Sequence, residues 1–476
     1  MPPAIKAADK ERILRVFAAQ RSNQAAVAAG TPKQRKLKLD LLLRWVDSHH
    51  ADIHAALHAD LRKPASEADL TEILPVTTEI KHARRHLARW MRAKRVAPTL
   101  AMVSARAWVR PEPRGVVLII TPWNFPFTLA LSALVSAIAA GNCVCLKPSE
   151  ISPHSARLLA RMLGELFAED EVAVFEGDHL TAEELLRQPF DHIFFTGGTS
   201  KGRLVMRAAA EHLSTITLEL GGKSPVIVDE SADIVDAAKK LVWAKFLNAG
   251  QTCIAPDYVI AHVSVYGKLV WQMGEVIRKT YGADPAARRA SPDYARIVSP
   301  AHFARCEQLL TASLKNGARA TIGGEVDAAD RYIAPTILVE MAEDDAVMTE
   351  EIFGPILPVL SYTLLPDALQ KINQRSKPLA LYIFSRNRRN IEQITAGTSA
   401  GGTCINDAVL HFMHPNLPFG GLNHSGTGSA HGVYGFRAFS HERAFLRQGP
   451  LAPMKLLFPP YTAAVRRLVK LALRWL

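Results

Sequence analysis

The chain has 476 residues, with 57 Lys and Arg against 45 Asp and Glu, a formal net charge of +12. That length exceeds one hydrophobic core and predicts two or three domains. A hydrophobic content of 48% marks an ordinary globular protein, and five cysteines without close pairing point to a reducing compartment rather than a disulfide scaffold.

No N-terminal segment joins a charged start to an apolar h-region, so no secretory signal is read and a cytoplasmic location is expected. The basic excess gathers in "KHARRHLARWMRAKR" (Lys81 to Arg95) and in the C-terminal tail. Such charge suits an anionic membrane or an anionic cofactor. Zinc-finger spacing and RNA-binding aromatic signatures are missing, so nucleic acid is set aside as a partner.

The first hundred residues read as helices. "QRKLKLDLLLRWVDSHHADIHAALHADL" repeats apolar residues three and four apart. His50, His54 and His58 share one face of it. Ligands on one helix seldom close a metal shell, so a solvated face is expected and no metal site is read anywhere.

From Trp108 short apolar runs alternate with helical stretches. "GVVLII", "CVCLKP", "VAVFEG", "HIFFTG", "TITLEL" and "PVIVDE" each end in Gly, Pro or an acid. Continuous β-branched runs predict strands buried on both faces, hence a parallel, doubly wound α/β sheet. Cys143 and Cys145 alternate within one run and read as small core residues. A second series, "YVIAHV", "PILPVL" and "LALYIFS" with helices between them, predicts a second α/β unit. The polar joint near Leu218 to Ser224 divides the two.

Ligands of such sheets bind beyond the carboxyl ends of the strands, so the residues following each run carry the chemistry. "TPWNFPF" (Thr121 to Phe127) offers Asn124, whose amide can donate to a developing oxyanion or merely close a turn. "LKPSE" offers Lys147 and Glu150, groups able to hold ribose hydroxyls or phosphate. "FFTGGTSKG" opens a helix whose N-terminus attracts a pyrophosphate, with Thr199 or Ser200 as its cap. "LELGGKSP" offers Glu219 as a base. Glu351 and Phe353 stand in "EEIFGP". Cys253, in "GQTCIAPD", sits among small and polar residues rather than the apolar neighbours of an inert cysteine.

Together and in this order, "TPWNFPF", "LKPSE", "FTGGTSKG", "LELGGKSP", "GQTCIAPD", "EEIFGPILP" and "LPFGGLNHSG" resemble the aldehyde dehydrogenase superfamily, most closely its class 3 branch of fatty and aromatic aldehyde dehydrogenases. The resemblance implies a Rossmann-like parallel-sheet cofactor domain, an α/β catalytic domain and a small β oligomerisation arm. On that basis residues 1–216 form the N-terminal helices and NAD(P)-binding domain, with an arm hairpin near 104–115. Residues 217–398 form the catalytic domain, 399–448 return to the cofactor domain and add an oligomerisation strand, and 449–476 form a basic tail.

The resemblance also implies roles. Cys253 would attack the aldehyde carbonyl as a thiolate, Asn124 would hold the oxyanion, and Glu219 would activate water to hydrolyse the thioester. Thr121, Trp123, Lys147, Glu150, Gly197, Gly198, Thr199, Gly202, Glu351 and Phe353 would bind NAD or NADP. A medium or long aliphatic or aromatic aldehyde is the implied substrate, and a homodimer the implied assembly. The pattern departs from the family after "PFGG", where Asn423 and His424 replace glycine in a segment expected to line the substrate entrance. The retained base Glu219 argues against a coenzyme-A-acylating enzyme. A cofactor-free thiol hydrolase would need a histidine partner.

The last residues, "TAAVRRLVKLALRWL", form a basic amphipathic helix on paper, with Arg466, Arg467, Lys470 and Arg474 on one face and Val465, Leu468, Val469, Leu473 and Leu476 on the rest. It is too short to span a bilayer. It is expected to rest on an anionic membrane surface, cover the substrate entrance or pack between subunits.

Overall fold

The structure, a computed structural model, describes residues 5–99, 102, 104–450 and 452–475. Helices Ala7–Ala28, Pro32–Ser48 and His50–Leu61 open the chain. Thr31 starts the second with a capping box: its hydroxyl accepts from the Gln34 N–H at 3.3 Å, and the Gln34 side chain accepts from the Thr31 N–H at 2.8 Å. The apolar-periodic stretch breaks at His49, whose ring stacks on Trp45 at 3.9 Å. His54 meets Asp69 at 2.7 Å, and no cluster of metal-ligating residues occurs among the described residues. A further helix runs through Ala65–Ala68, a π segment Asp69–Ile73 and Leu74–Trp90.

Strands β1 (Lys94–Val96) and β2 (Arg106–Pro113) form an antiparallel arm with the late strand Ser440–Arg447. Trp108 and Phe445 stack across the arm, centroids 5.2 Å apart, with the Arg110 and Arg443 guanidinium groups over the Phe445 ring.

The next strands, β3 (Val116–Ile120), β4 (Cys143–Lys147), β5 (Val172–Val174), β6 (His192–Thr196) and β7 (Thr215–Glu219), build a parallel sheet. Helices cover both of its faces, which is why β3, β4 and β6 are buried throughout. Helix Pro126–Ala140 is apolar almost all round because it lies inside the same core as the N-terminal helices. Cys143 and Cys145 are buried in β4, as core residues should be.

The chain crosses after Glu219 to a second sheet. Its strands β8 (Pro225–Val228), β9 (Tyr258–His262) and β10 (Arg319–Ile322) precede a small hairpin, β11 (Val326–Asp327) with β12 (Tyr332–Ile333). It is completed by β13 (Thr336–Val339), β14 (Ile356–Tyr362), β15 (Ala380–Phe384) and β16 (Gly402–Ile405), in the order β10-β13-β14-β9-β8-β15-β16. The chain then returns: β17 (Gly426–Thr427) adds antiparallel to β7, giving the order β17-β7-β6-β3-β4-β5, and β18 (Ser440–Arg447) completes the arm.

Two boundaries differ from expectation. A division between residues 216 and 217 would cut β7, whose ladder with β6 runs to Glu219. A return at 399 would detach β16, which pairs with β15 over four residues. In each case hydrogen-bonded strand pairing continues past the change in sequence composition.

The tail helix Ala463–Trp475 exposes Leu468, Leu471 and Leu473, the last by 79%. The Arg466 guanidinium donates to the nearby Tyr461 carbonyl at 3.0 Å. Leu476 lies outside the described residues. No helix among the described residues is long and apolar enough to cross a membrane.

Candidate active site

Parallel pairing brings four strand ends together. Ile120 lies opposite Lys147 and Phe195, and Thr196 opposite Glu219, so the residues following β4, β3, β6 and β7 form one row at the carboxyl edge of the sheet. Thr121, Trp123 and Asn124 leave β3, Lys147 ends β4, Gly197 and Gly198 follow β6, and Glu219 ends β7. The facing loops enter the second sheet. Cys253 precedes β9 and Glu351 precedes β14, and these two strands are paired.

The approach to Cys253 is a strained turn. Asn248 (φ 53°), Ala249 (φ 52°) and Gly250 (φ 76°) are left-handed in succession. At Gly250 a Cβ would run into the Gly354 carbonyl oxygen, so glycine is required by close approach as well as by φ. Gln251 clamps the turn: its amide donates to the Asn248 and Arg296 carbonyls at 2.9 and 3.0 Å, and its oxygen accepts from the Val298 N–H at 2.9 Å. The polar residues before the cysteine therefore hold the backbone, and the sulfur is left facing a cavity.

That cavity has a volume of about 230 Å³, and Phe125, Leu129, Trp243, Leu247, Val409 and Phe412 are among its walls beside Cys253. Polar lining is confined to a few hydroxyls, so the space suits an apolar chain or ring. Burial, with the Glu219 and Glu351 carboxylates nearby, pushes the Cys253 thiol up, and the N–H groups of Cys253 and Ile254 pull it partly back. Burial therefore favours the neutral thiol over its charged form.

Asn124 is buried and donates one amide proton to the Gln251 carbonyl at 3.0 Å, and its second proton has no partner among the described residues. Glu219 is also buried, its Oε1 accepts no hydrogen bond from the described residues, and burial raises its pKa to about 8. Burial and the charge of Asp257 hold Glu351 at about 7, against the Gly222 N–H.

On the other side, Lys147 Nζ meets Glu150 at 2.8 Å, with the lysine buried and the glutamate open to solvent. Gly198 caps helix Thr199–Glu211, with open space where its Cβ would be. Thr199 does not cap it. Its hydroxyl donates to the His424 carbonyl at 3.0 Å, and Ser200 makes no cap bond either, because Gly198 occupies the N-cap position. Gly197 and Gly202 permit close packing, since a Cβ at either would fall 2.7 Å from Phe195 or Leu220. Trp123 stands edge-on to Phe353, centroids 5.4 Å apart. The buried hydroxyls of Thr121 and Thr196 have no partner among the described residues. An open glycine-capped helix end, an accessible carboxylate beside a lysine, and unpartnered hydroxyls fit an extended polyphosphate cofactor.

Asn423 and His424 do not wall the cavity by Cys253. The loop beginning at Asn423 leads into β17 beside β7, and the segment Val409–Met413 lines the cavity instead. The sequence reading also passed over Lys63, Glu67 and Glu72, charged groups drawn inward beneath Asn124 and Asn248. In an amphipathic helical stretch they look like a solvated face. The one available signal was "DLRKP", which stops helix His50–Leu61 and leaves Lys63 on a turn.

Two facing α/β units with a cysteine, a carboxylate and an amide at one seam define a thiol-dependent oxidoreductase that works with a dinucleotide. The chain belongs to the aldehyde dehydrogenase family, which matches residues 3–445. It is 43% identical to the putative aldehyde dehydrogenase AldX of Bacillus subtilis (strain 168), over 92% of this chain and 98% of that one. Identity is likewise 43% to aldehyde dehydrogenase family 3 member A2 of Pongo abelii, over 90% and 87% of the two chains. The solved substrate-bound AldH of Staphylococcus aureus superposes with a TM-score of 0.92 at 39% identity, over 96% and 99%. The protein is accordingly an NAD(P)-dependent aldehyde dehydrogenase that oxidises aldehydes to acids.

Proposed function

We propose that the substrate is a medium or long aliphatic or an aromatic aldehyde, oxidised at Cys253. The observation that carries this is the apolar cavity of about 230 Å³ that Cys253 helps to line. In this reading the Cys253 thiol gives up its proton to water as it attacks the aldehyde, and Glu219 is held for the second step. Sγ bonds to the carbonyl carbon, and the oxyanion meets the free Asn124 amide proton and the Cys253 N–H. A nicotinamide held here would supply the acceptor for the hydride that leaves this carbon. The cysteine then carries a thioester. Glu219 next removes a proton from water, which adds to the thioester carbon. Collapse expels the Cys253 sulfur, which recovers a proton, and the acid departs.

Thr121, Trp123, Lys147, Glu150, Gly197, Gly198, Thr199, Gly202, Glu351 and Phe353 are the positions proposed to hold NAD or NADP. The open end of helix Thr199–Glu211 supports a pyrophosphate there, and the Lys147–Glu150 pair a ribose. The six-stranded sheet with the N-terminal helices is then the cofactor domain, and the seven-stranded sheet the catalytic domain. Steady-state kinetics over aldehydes of rising chain length, with both cofactors, tests this reading. A rise in kcat/KM with chain length supports it, and preference for short polar aldehydes overturns it.

Three further readings belong to the same proposal. A homodimer fits the open edges that β16 and β18 leave on their sheets, and light scattering at the mass of two chains would support it. A cytoplasmic location fits the free cysteines found among the described residues. Peripheral contact of helix Ala463–Trp475 with an anionic membrane fits exposed Leu468, Leu471 and Leu473 set among four basic residues. Cosedimentation with anionic vesicles, with and without residues 462–476, tests it, and equal partitioning refutes it.

A further inference from the structure

The left-handed turn that presents Cys253 needs an external restraint. Non-glycine residues at positive φ are strained, and Asn248 and Ala249 are adjacent. Such residues persist only where their surroundings over-determine them. Several side-chain bonds tie the turn: the Asn248 amide donates to the Gln251 carbonyl at 3.2 Å and to the Asn124 carbonyl, 124 residues away, at 2.9 Å, and Gln251 donates back at 2.9 Å. The backbone of the turn is held from a distant helix. The Asn248 N–H, at the first strained residue, donates to Glu67 Oε1 at 3.0 Å, across 181 residues of sequence.

Glu67 can reach this point because its helix is irregular. It precedes the π segment Asp69–Ile73, closed by the Leu74 N–H on the Asp69 carbonyl. In a regular α-helix residues 67 and 72, five apart, would lie about 140° from one another round the axis. The i to i+5 closure of a π turn brings such residues nearly into line. Glu72 thereby points inward as well, accepting from Lys63 at 2.8 Å and from the Phe127 and Thr128 N–H groups at 3.2 and 2.9 Å. Leu70 and Thr71, on the π segment itself, wall the cavity in front of Cys253.

We infer that Glu67 is a positioning residue for the nucleophile, acting as the hydrogen-bond acceptor that holds the Asn248 N–H and so fixes the turn delivering the Cys253 sulfur to the cavity. The inference rests on Cys253 being the nucleophile, which the Cys253→Ala variant tests separately. Glu67 touches neither substrate nor cofactor in this role. What it supplies is an oxygen at a set point, and its charge is incidental. A glutamine therefore satisfies the same N–H, whereas a methionine of similar size does not.

The test compares Glu67→Gln with Glu67→Met in the full-length protein, each checked for a cooperative thermal transition. Two quantities are read: the rate at which iodoacetamide alkylates the Cys253 peptide without cofactor, and the split between kcat and KM. Misplacing a reacting atom by about 1 Å costs on the order of 100-fold, so Glu67→Met should slow alkylation and kcat by roughly 10- to 100-fold with KM unchanged. Glu67→Gln should stay close to the parent in both. Parent-like alkylation and kcat in Glu67→Met overturns the inference. So does a Glu67→Gln variant as impaired as Glu67→Met. Should Glu67→Met not fold, Glu67→Ala takes its place with the same two readings.

Discussion

Lys63 Nζ lies 2.8 Å from Glu72 Oε1, and neither side chain has any exposed surface. Burial pushes the Glu72 carboxyl up, and the Lys63 ammonium together with the Phe127 and Thr128 N–H groups pulls it back. Lys63 also rests over the Phe125 ring, 4.2 Å from its centroid, and reaches the Asn124 carbonyl at 3.4 Å. An ion pair, a helix N-terminus and the proposed oxyanion amide thus form one buried unit.

Breaking that pair strands a charge without solvent. Lys63→Met or Glu72→Leu alone should each cost about 3–5 kcal/mol in urea unfolding. The double variant should lose less than the two losses added, because no lone charge remains. Strict additivity would show that the two side chains are not energetically coupled.

Glu219 sets a pH dependence of activity. Its working form is the carboxylate, so a deacylation-limited kcat should rise as pH climbs through about 8 and level off above it. Glu219→Gln should flatten this rise and lower kcat about 100-fold or more. A parent-like pH profile in the variant would remove Glu219 from the reaction.

The same carboxyl sets a stability trend. Its folded pKa stands above that of an unfolded chain, so its neutral form is the one the fold prefers. Stability is full below the ordinary carboxylate range and declines as pH rises towards about 8. Glu219→Gln should therefore be more stable than the parent at high pH, by on the order of a few kcal/mol in urea unfolding, with the difference vanishing in mild acid.

Gly250→Ala places a methyl against the Gly354 carbonyl at a residue with φ of 76°. The turn must then move and carry the sulfur with it. We expect kcat to fall by about 100-fold while the protein remains folded, as followed by circular dichroism. Parent-like turnover would show that the turn tolerates displacement.

Glu150 bears on cofactor choice. Its carboxylate, 2.8 Å from Lys147, would oppose a 2′-phosphate. Glu150→Gln should raise the ratio of kcat/KM for NADP over NAD by roughly tenfold, or 1.4 kcal/mol. An unchanged ratio would move the adenosine ribose away from this pair.

Much of this was legible in the sequence because parallel strands buried on both faces leave unbroken apolar runs. Val116–Ile120 and His192–Thr196 stand out for that reason. The strand ends were legible as well, since each run stops at a polar or glycine-rich segment. The supports beneath them were hidden. Glu67 and Glu72 are spaced as on a solvated helix, and only a π turn brings both inward. Sheet edges were hidden too, because β16 and β17 are short and half-exposed and their pairing depends on strands far away in sequence. The thiol form of Cys253 follows from the apolar walls and two carboxylates gathered around it, which no local motif records.

The most direct measurement of the central claim is intact-protein and peptide mass spectrometry of Glu219→Gln quenched during turnover with an aldehyde and NAD. With water activation blocked, the acyl group should accumulate on the peptide containing Cys253, its mass that of the aldehyde less two hydrogens, and Cys253→Ala should acquire none. Acylation at any other residue, or steady turnover by Cys253→Ala, would contradict it.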